Sequence, residues 1–374
     1  MGYASRLFYH RGLYDMDETN SLFVKVLREN VEHHRTHCPE YASILESRNF
    51  SLSDIQSIKD LHKIPPIPTL FLKRHNLKST NKKLKFFSTT SGTSGTVSTS
   101  GFDWPSMRRG LGMVLGTCFT HKLISPRPTN YIVLGYQPTK HNKMGVVKTA
   151  YAMTHAAPAL HREYALKDTG KEYELNMDGL KETLLRYEKK GHPVRLIGFP
   201  AYFMFLLREL KESNISLKLN PKSMVMLSGG WKQFFFEQVD KHTLHEMSRE
   251  VLGLGGDRFR EFFGAVEHPI IYAGCPNHHF HVPIYSRVII RGTDLQPVPY
   301  GTPGMLNLLT PMITSMPFCS VMTDDLAIMH PGEDCGCGIE SPYFEVLGRI
   351  GLADIKTCAV GASELLLTLK EGEK

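Results

Sequence analysis

The stretch FFSTTSGTSGTVSTSGF, Phe86 to Phe102, concentrates Ser, Thr and Gly in a chain of otherwise ordinary composition. Hydroxyl side chains supply hydrogen-bond donors and glycine lets backbone amides approach a ligand closely, so the run reads either as a phosphate cradle or as a flexible surface loop. It is not a Walker A loop, because no Gly-Lys-Ser/Thr closes it. A second concentration of chemistry lies downstream. AGCPNHHFH carries Cys275, His278, His279 and His281, and EDCGCGIE carries Cys335 and Cys337 with one glycine between them. Cysteines so spaced strain badly as a disulfide, whereas a Gly-rich turn suits a zinc knuckle. Cys275, one histidine, Cys335 and Cys337 would make a closed and therefore structural tetrahedral site. His279 is taken as that histidine, with the choice among the three open, and free thiols beside surface histidines are the other reading.

These groups need elements to hold them. TNSLFVKVLRENVEHH repeats apolar residues at helical spacing behind Asn20, a cap candidate, and predicts a helix from Thr19 to His34. The connector KIPPIPTLFLKRH, Lys63 to His75, reads as extended, since residues before proline are pushed out of the helical region. KLKFF reads as a strand before the Ser/Thr/Gly run and GFDWPSMRRGLGMVLGTCF as a helix after it. Farther on, NYIVLGY, VRLIGFP and SMVMLSGG alternate with the helical patterns MDGLKETLLRYEKKG and AYFMFLLRELKESN, the sign of βαβ units in a mainly parallel sheet. Tyr202, Phe203 and Phe205 open the second of those helices, which reads as a core helix or as one wall of an acyl tunnel. From Glu267 the pattern turns to short strands and turns, and no repeat of fixed period is present.

The 374 residues are 41% hydrophobic and 22% charged, the profile of a globular protein with a substantial core. A formal charge of +7 without a dense basic block or interleaved aromatics suits a small anion such as ATP and argues against nucleic acid. No apolar run approaches the ~20 residues of a bilayer span and the first residues show no signal peptide, so the expected place is the cytoplasm, without membrane insertion. Seven scattered cysteines point to free thiols, metal ligands or a nucleophile.

Four elements in fixed order resemble those of the adenylate-forming ligases: TSGTSGTVS at Thr90 to Ser98, FFGAVEH at Phe262 to His268, MTDDL at Met322 to Leu326, and LGRIGLADIK at Leu347 to Lys356. Within that superfamily the chain most resembles the acyl-protein synthetases of bacterial luminescence operons, also through IPPIPTLFLK, LIGFPAYFMFLL, LSGGWK and HFHVPIYSRVIIR. The resemblance implies an α/β fold: the large N-terminal domain of these ligases over residues 1–350, with mainly parallel sheets flanked by helices plus a small β-rich part. The C-terminal lid domain is expected to be missing, and residues 351–374 to form a short tail.

The resemblance also implies roles. Thr90, Ser91, Gly92, Thr93, Ser94 and Gly95 match the loop on the β- and γ-phosphates of ATP, with Ser98 near the place usually held by lysine. Glu267 matches the glutamate that helps hold Mg²⁺, and its alternative is a plain surface residue. Asp325 matches the aspartate on the ribose hydroxyls and Arg349 the arginine on the same sugar, while Asp324 stands where the superfamily has glycine, so either aspartate is a ribose candidate. Gly229, Gly230 and Gly264 belong to the nucleotide-lining turns, and Lys232 either steadies phosphoryl charge or is merely solvated. Cys358, nine residues after Arg349, matches the cysteine that accepts the acyl group, and Lys356 would lower its pKa. The implied reaction is ATP-dependent activation of a carboxylic acid, a long-chain fatty acid in that family, then thioester formation and delivery to an acyl reductase. A CoA ligase completed by a partner chain and a non-catalytic nucleotide-binding adaptor are the alternatives.

Overall fold

The computed structural model describes residues 2–80, 84, 86–89, 99–139, 142, 145–231, 234 and 237–349. The chain divides into two compact units, one of Met1–Thr120 with Gly264–Lys374 and one of His121–Phe263. Among the described residues no helix is long and apolar enough to cross a membrane.

The first unit begins with α1 (Tyr3–Phe8), α2 (Met16–His37) and α3 (Pro39–Ser47). Helix α2 starts earlier than its apolar pattern predicts. Asp15 occupies the N-cap position, and Asp17 and Glu18 sit in the first turn, where carboxylates complement the helix dipole. Asn20 is therefore not the cap: it lies inside α2, and its Oδ1 accepts a 2.7 Å hydrogen bond from the buried Arg287 guanidinium. The proline connector is extended only in part. After β1 (Ile67–Pro68) the chain turns at once into α4 (Thr69–Arg74), because no proline follows Pro68 to forbid the helical region. The Ser/Thr/Gly run is flanked by two strands, β2 (Phe86–Thr89) and β3 (Thr99–Phe102), paired antiparallel, so a strand intervenes before α5 (Trp104–Thr120). Asp103 opens α5 by accepting the backbone N–H of Ser106 at 3.0 Å, a cap that the sequence FDWPS carries in plain view.

The second unit runs β4 (Thr129–Tyr136), α6 (Gly145–Met153), β5 (Ala159–Asp168), β6 (Tyr173–Leu175), α7 (Met177–Lys190), β7 (Val194–Gly198), α8 (Pro200–Glu212), β8 (Met224–Ser228), α9 (Lys241–Leu252) and β9 (Phe259–Ala265). Its strands lie in the order β9-β8-β7-β4-β5-β6 and are parallel except β6. Strands β4 and β7 are buried almost throughout, as parallel strands covered on both faces must be. Leu180 and Leu184 of α7, Phe203, Leu206 and Leu210 of α8, and Val251 and Leu252 of α9 close one core with Ile132, Leu196 and Val225. Helix α8 is thus a core helix along its length, and Tyr202 and Phe205 of its first turns remain for the second reading, one wall of an acyl tunnel.

Back in the first unit come β10 (His268–Ala273), β11 (Phe280–His281), β12 (Arg287–Arg291), β13 (Gly304–Leu309), β14 (Ser320–His330) and β15 (Tyr343–Arg349). The order β11-β15-β14-β13-β12 is antiparallel throughout, which is the β-rich part expected from the change of pattern after Glu267. Strand β1 joins the same sheet parallel to β14.

Candidate functional site

Strand β14 changes neighbours along one edge. Val321 and Met322 pair with Ile67 and Pro68 of β1, and from Asp325 onward the partner is β15, with Asp325 opposite Arg349. Asp324 and Asp325 stand at that change. Successive strand side chains point to opposite faces, so the two carboxylates cannot share a site. Asp324 is buried toward α4: Thr69 Oγ1 donates to its Oδ1 at 3.1 Å, and Lys73 Nζ lies 3.6 Å from its Oδ2, both charged side chains being less than a tenth exposed. Asp325 faces the other way, toward Arg349, whose Nε lies 3.8 Å from Oδ1. Of the two aspartates, Asp324 is therefore the one committed to α4.

Thr69 and Lys73 were not legible as site residues because their segment reads as extended. Their i, i+4 spacing, which puts both on one face once α4 forms, was the available signal.

Glu267 sits in the turn between β9 and β10 and is only 4% exposed. Its Oε1 has no hydrogen-bond partner among the described residues. A buried carboxylate oxygen without a donor is costly, and a hard cation is the partner that suits it. Burial pushes the Asp325 carboxyl above its ordinary value. Arg349 and the Thr323 hydroxyl pull it back, whereas the charges of Asp324 and Glu267 push it further up. Asp325 thus lies within electrostatic reach of two further carboxylates, and with Asp324 already paired to Lys73, a divalent cation beside Glu267 would relieve the repulsion between Glu267 and Asp325. Gly264, in the same region, brings its Cα so near β10 that a Cβ there would stand 3.0 Å from the Ile270 carbonyl oxygen.

In the second unit the strand order reverses between β4 and β7, with β8 beside β7, and the carboxyl ends at such a reversal are the customary place for a ligand in an open α/β sheet. Gly229 and Gly230 follow β8 there in left-handed conformations, at φ +82° and +63°. Phe199, Tyr202, Phe205 and Phe234 pack edge to face at the start of α8. Burial, with Tyr136 nearby, pushes the Tyr202 hydroxyl up to about 12. An open hollow of about 480 Å³ lined by Ile124, Ala157, Ala159 and Arg162 lies at the opposite, amino-terminal end of β4 and β5, away from these loops.

The Cys/His cluster assembles as a compact group. Sγ of Cys275, Cys335 and Cys337 and a ring nitrogen of His281 all lie within 4.8 Å of one another. His279, the histidine taken from the sequence, lies beside them with Nδ1 3.2 Å from Cys335 Sγ, but His281 is the one that completes the quartet. Thr90, Ser91, Gly92, Thr93, Ser94, Gly95, Lys232 and Cys358 fall outside the described residues.

Residues 10–367 match the family described as acyl-protein synthetase, LuxE. The chain is 23% identical over 367 residues to the long-chain-fatty-acid–luciferin-component ligase of Aliivibrio fischeri, covering 94% of this chain and 91% of that one. Among solved structures, an open conformation of 2-hydroxyisobutyryl-CoA ligase superposes with a TM-score of 0.67 at 17% identity, over 91% of this chain and 77% of that one. The same ligase in its postadenylation state gives 0.66 at 16%, over 91% and 70%. The fold is thus that of the adenylate-forming ligases, and with a match spanning nearly its whole length the chain belongs to the acyl-protein synthetase family, LuxE.

Proposed function

We propose that this ligase activates a long-chain fatty acid with ATP and Mg²⁺ and loads the acyl group onto its own Cys358. In the first step a carboxylate oxygen of the acid attacks the α-phosphorus of ATP and pyrophosphate leaves. In the second, the Cys358 thiolate attacks the acyl carbon of the adenylate, a C–S bond forms, and AMP leaves. The observation that carries the reading is the buried, undonated carboxylate oxygen of Glu267 within reach of Asp325, in a chain of this family. Glu267 would hold Mg²⁺, which supplies charge neutralisation for the phosphates. Asp325 would accept the ribose hydroxyls, and Arg349 would steady both the aspartate and the sugar. Thr90 to Gly95 and Lys232 are the residues proposed for the phosphates, and Gly229 and Gly230 for the turn beside the adenine. The aromatic group at the start of α8 is the proposed wall for the acid. The Cys/His quartet takes no part, since a closed four-ligand site offers no position to a substrate. The thioester would pass to an acyl reductase, in the cytoplasm, where ATP and reduced thiols coexist.

Intact-mass spectrometry after incubation with Mg²⁺, ATP and a panel of fatty and aromatic acids tests this, with wild type beside Cys358→Ala. The expected result is an acyl-sized, hydroxylamine-sensitive mass gain that needs ATP and disappears in the variant. Pyrophosphate release without labelling, made productive by added CoA, would replace this reading with a CoA ligase. No pyrophosphate release with any acid would leave a nucleotide-binding adaptor.

A further inference from the structure

The quartet of Cys275, His281, Cys335 and Cys337 has no part in the adenylation chemistry, yet it is built with care. We propose that these four residues form a structural zinc site. Zinc–sulfur bonds of about 2.3 Å and zinc–nitrogen bonds of about 2.0 Å, at tetrahedral angles, place neighbouring sulfurs about 3.8 Å apart and a sulfur and nitrogen about 3.5 Å apart. The observed separations are 3.5 Å between Cys275 Sγ and Cys335 Sγ and 3.3 Å between Cys337 Sγ and His281 Nε2. The first is far beyond the roughly 2.05 Å of a disulfide, and all three cysteines are free.

The tautomer of His281 is set by its surroundings. Its Nδ1 lies 2.6 Å from the Ser341 carbonyl oxygen, which can only accept, so the proton sits on Nδ1 and the Nε2 lone pair faces Cys337. A carbonyl behind a ligating imidazole is the customary way a protein orients it and raises its basicity. His279 serves differently. Its ring stacks on Tyr343 with centroids 4.4 Å apart, and its backbone N–H donates to Cys275 Sγ at 3.4 Å. It covers the site without being needed as a ligand.

The two contributing loops are held independently of any metal. The Cys275 amide donates to the His279 carbonyl at 3.0 Å, and Asn277 Nδ2 donates to the Cys335 carbonyl at 2.6 Å, tying one loop to the other. Gly336 and Gly338 adopt left-handed φ of +67° and +85°, which lets Cys335 and Cys337 turn to the same point. Cys275, His281 and Cys335 are buried, so the interior would otherwise enclose thiols and an imidazole with few partners. Three sulfurs and one imidazole select zinc over magnesium or calcium. The site would staple the β10–β11 turn to the connection between β14 and β15. Asp325 and His330 are five residues apart on β14, roughly 17 Å, so the metal would fasten the strand that carries the nucleotide aspartate without touching the nucleotide.

The test is metal analysis of the purified full-length chain, with cobalt reconstitution after chelation, on wild type, His281→Ala, His279→Ala and Cys337→Ser. Wild type should hold about one zinc per chain, and the cobalt form should show the visible absorption of a tetrahedral thiolate site. His281→Ala and Cys337→Ser should bind at least about tenfold more weakly, whereas His279→Ala keeps its metal. A wild-type chain that carries no zinc and gives no thiolate–cobalt absorption overturns the proposal even if every variant misfolds. Metal lost in His279→Ala but kept in His281→Ala overturns the ligand set.

Discussion

Asp324 and Asp325 are adjacent in sequence and separate in purpose. Asp324 spends both oxygens on Thr69 and Lys73, whereas Asp325 meets the Thr323 hydroxyl and, across the ladder, the exposed Arg349, an ion pair worth about 0–1 kcal/mol. If Asp325 takes the ribose hydroxyls, Asp325→Ala removes charge-assisted hydrogen bonds of about 1.5–3 kcal/mol, a loss of roughly 10- to 100-fold in ATP affinity. Calorimetric titration with a non-hydrolysable ATP analogue measures it, and an unchanged Kd would remove Asp325 from the nucleotide. Glu267→Gln keeps the shape and deletes the charge. With Mg²⁺ held there, the variant should need a much higher Mg²⁺ concentration for half-maximal pyrophosphate release, while its thermal stability stays at wild type or rises, because the buried charge is gone.

At the scale of elements, α4 and β14 are joined by the buried Lys73–Asp324 pair. Lys73→Met strands a buried carboxylate and should cost about 3–5 kcal/mol, and Lys73→Met with Asp324→Leu should recover much of it, because the uncompensated charge is then absent. Urea unfolding of the single and double variants gives the coupling directly, and equal losses in both would mean the pair is not what fastens α4. Strand β7 ends at Gly198, with φ +144° and the Leu134 carbonyl oxygen standing where a Cβ would go. Gly198→Ala must move β7 away from β4 at the point where the strand order reverses. The same unfolding experiment should show a loss of roughly 1–3 kcal/mol from the strained backbone, with the steric clash added to it.

For the whole molecule, two buried histidines predict acid sensitivity. His34 gives its Nε2 proton to the Ile313 carbonyl at 3.1 Å and accepts from the Ser79 hydroxyl at 2.7 Å, so it is satisfied as a neutral ring. Burial first, then the neighbouring His33 and Arg109, lowers its pKa to about 3, and burial alone does the same for His268. Both values lie below the ordinary 6.5, so the unfolded chain takes up protons first. Stability is full above pH 6.5 and is lost as pH falls toward 3, by about 1.4 kcal/mol per histidine at pH 5.5. Denaturant midpoints at pH 7.5 and 5.5 should therefore differ by roughly 3 kcal/mol in stability, and His34→Gln should halve the difference. A flat profile would place both rings in contact with solvent.

The alternation of apolar strands with amphipathic helices in the second unit was legible because parallel strands buried on both faces leave continuous apolar runs, as in NYIVLGY and VRLIGFP. The family was legible too, through a resemblance carried by four short elements in fixed order, and the match over residues 10–367 bears it out. What the sequence could not decide was every choice between near-equals in the chain. Asn20 or Asp15 as cap, Asp324 or Asp325 as the carboxylate turned toward α4, and His279 or His281 as the fourth member of the quartet all satisfy the same local rule. Tertiary structure settles each by a contact distant in sequence: Arg287 claims Asn20, Lys73 and Thr69 claim Asp324, and the Ser341 carbonyl turns His281 toward the three thiols. The physical reason is common to all three. A side chain's type sets which bonds it can make, but a buried polar group goes to whichever partner the packed fold presents, and that partner lies tens to hundreds of residues away.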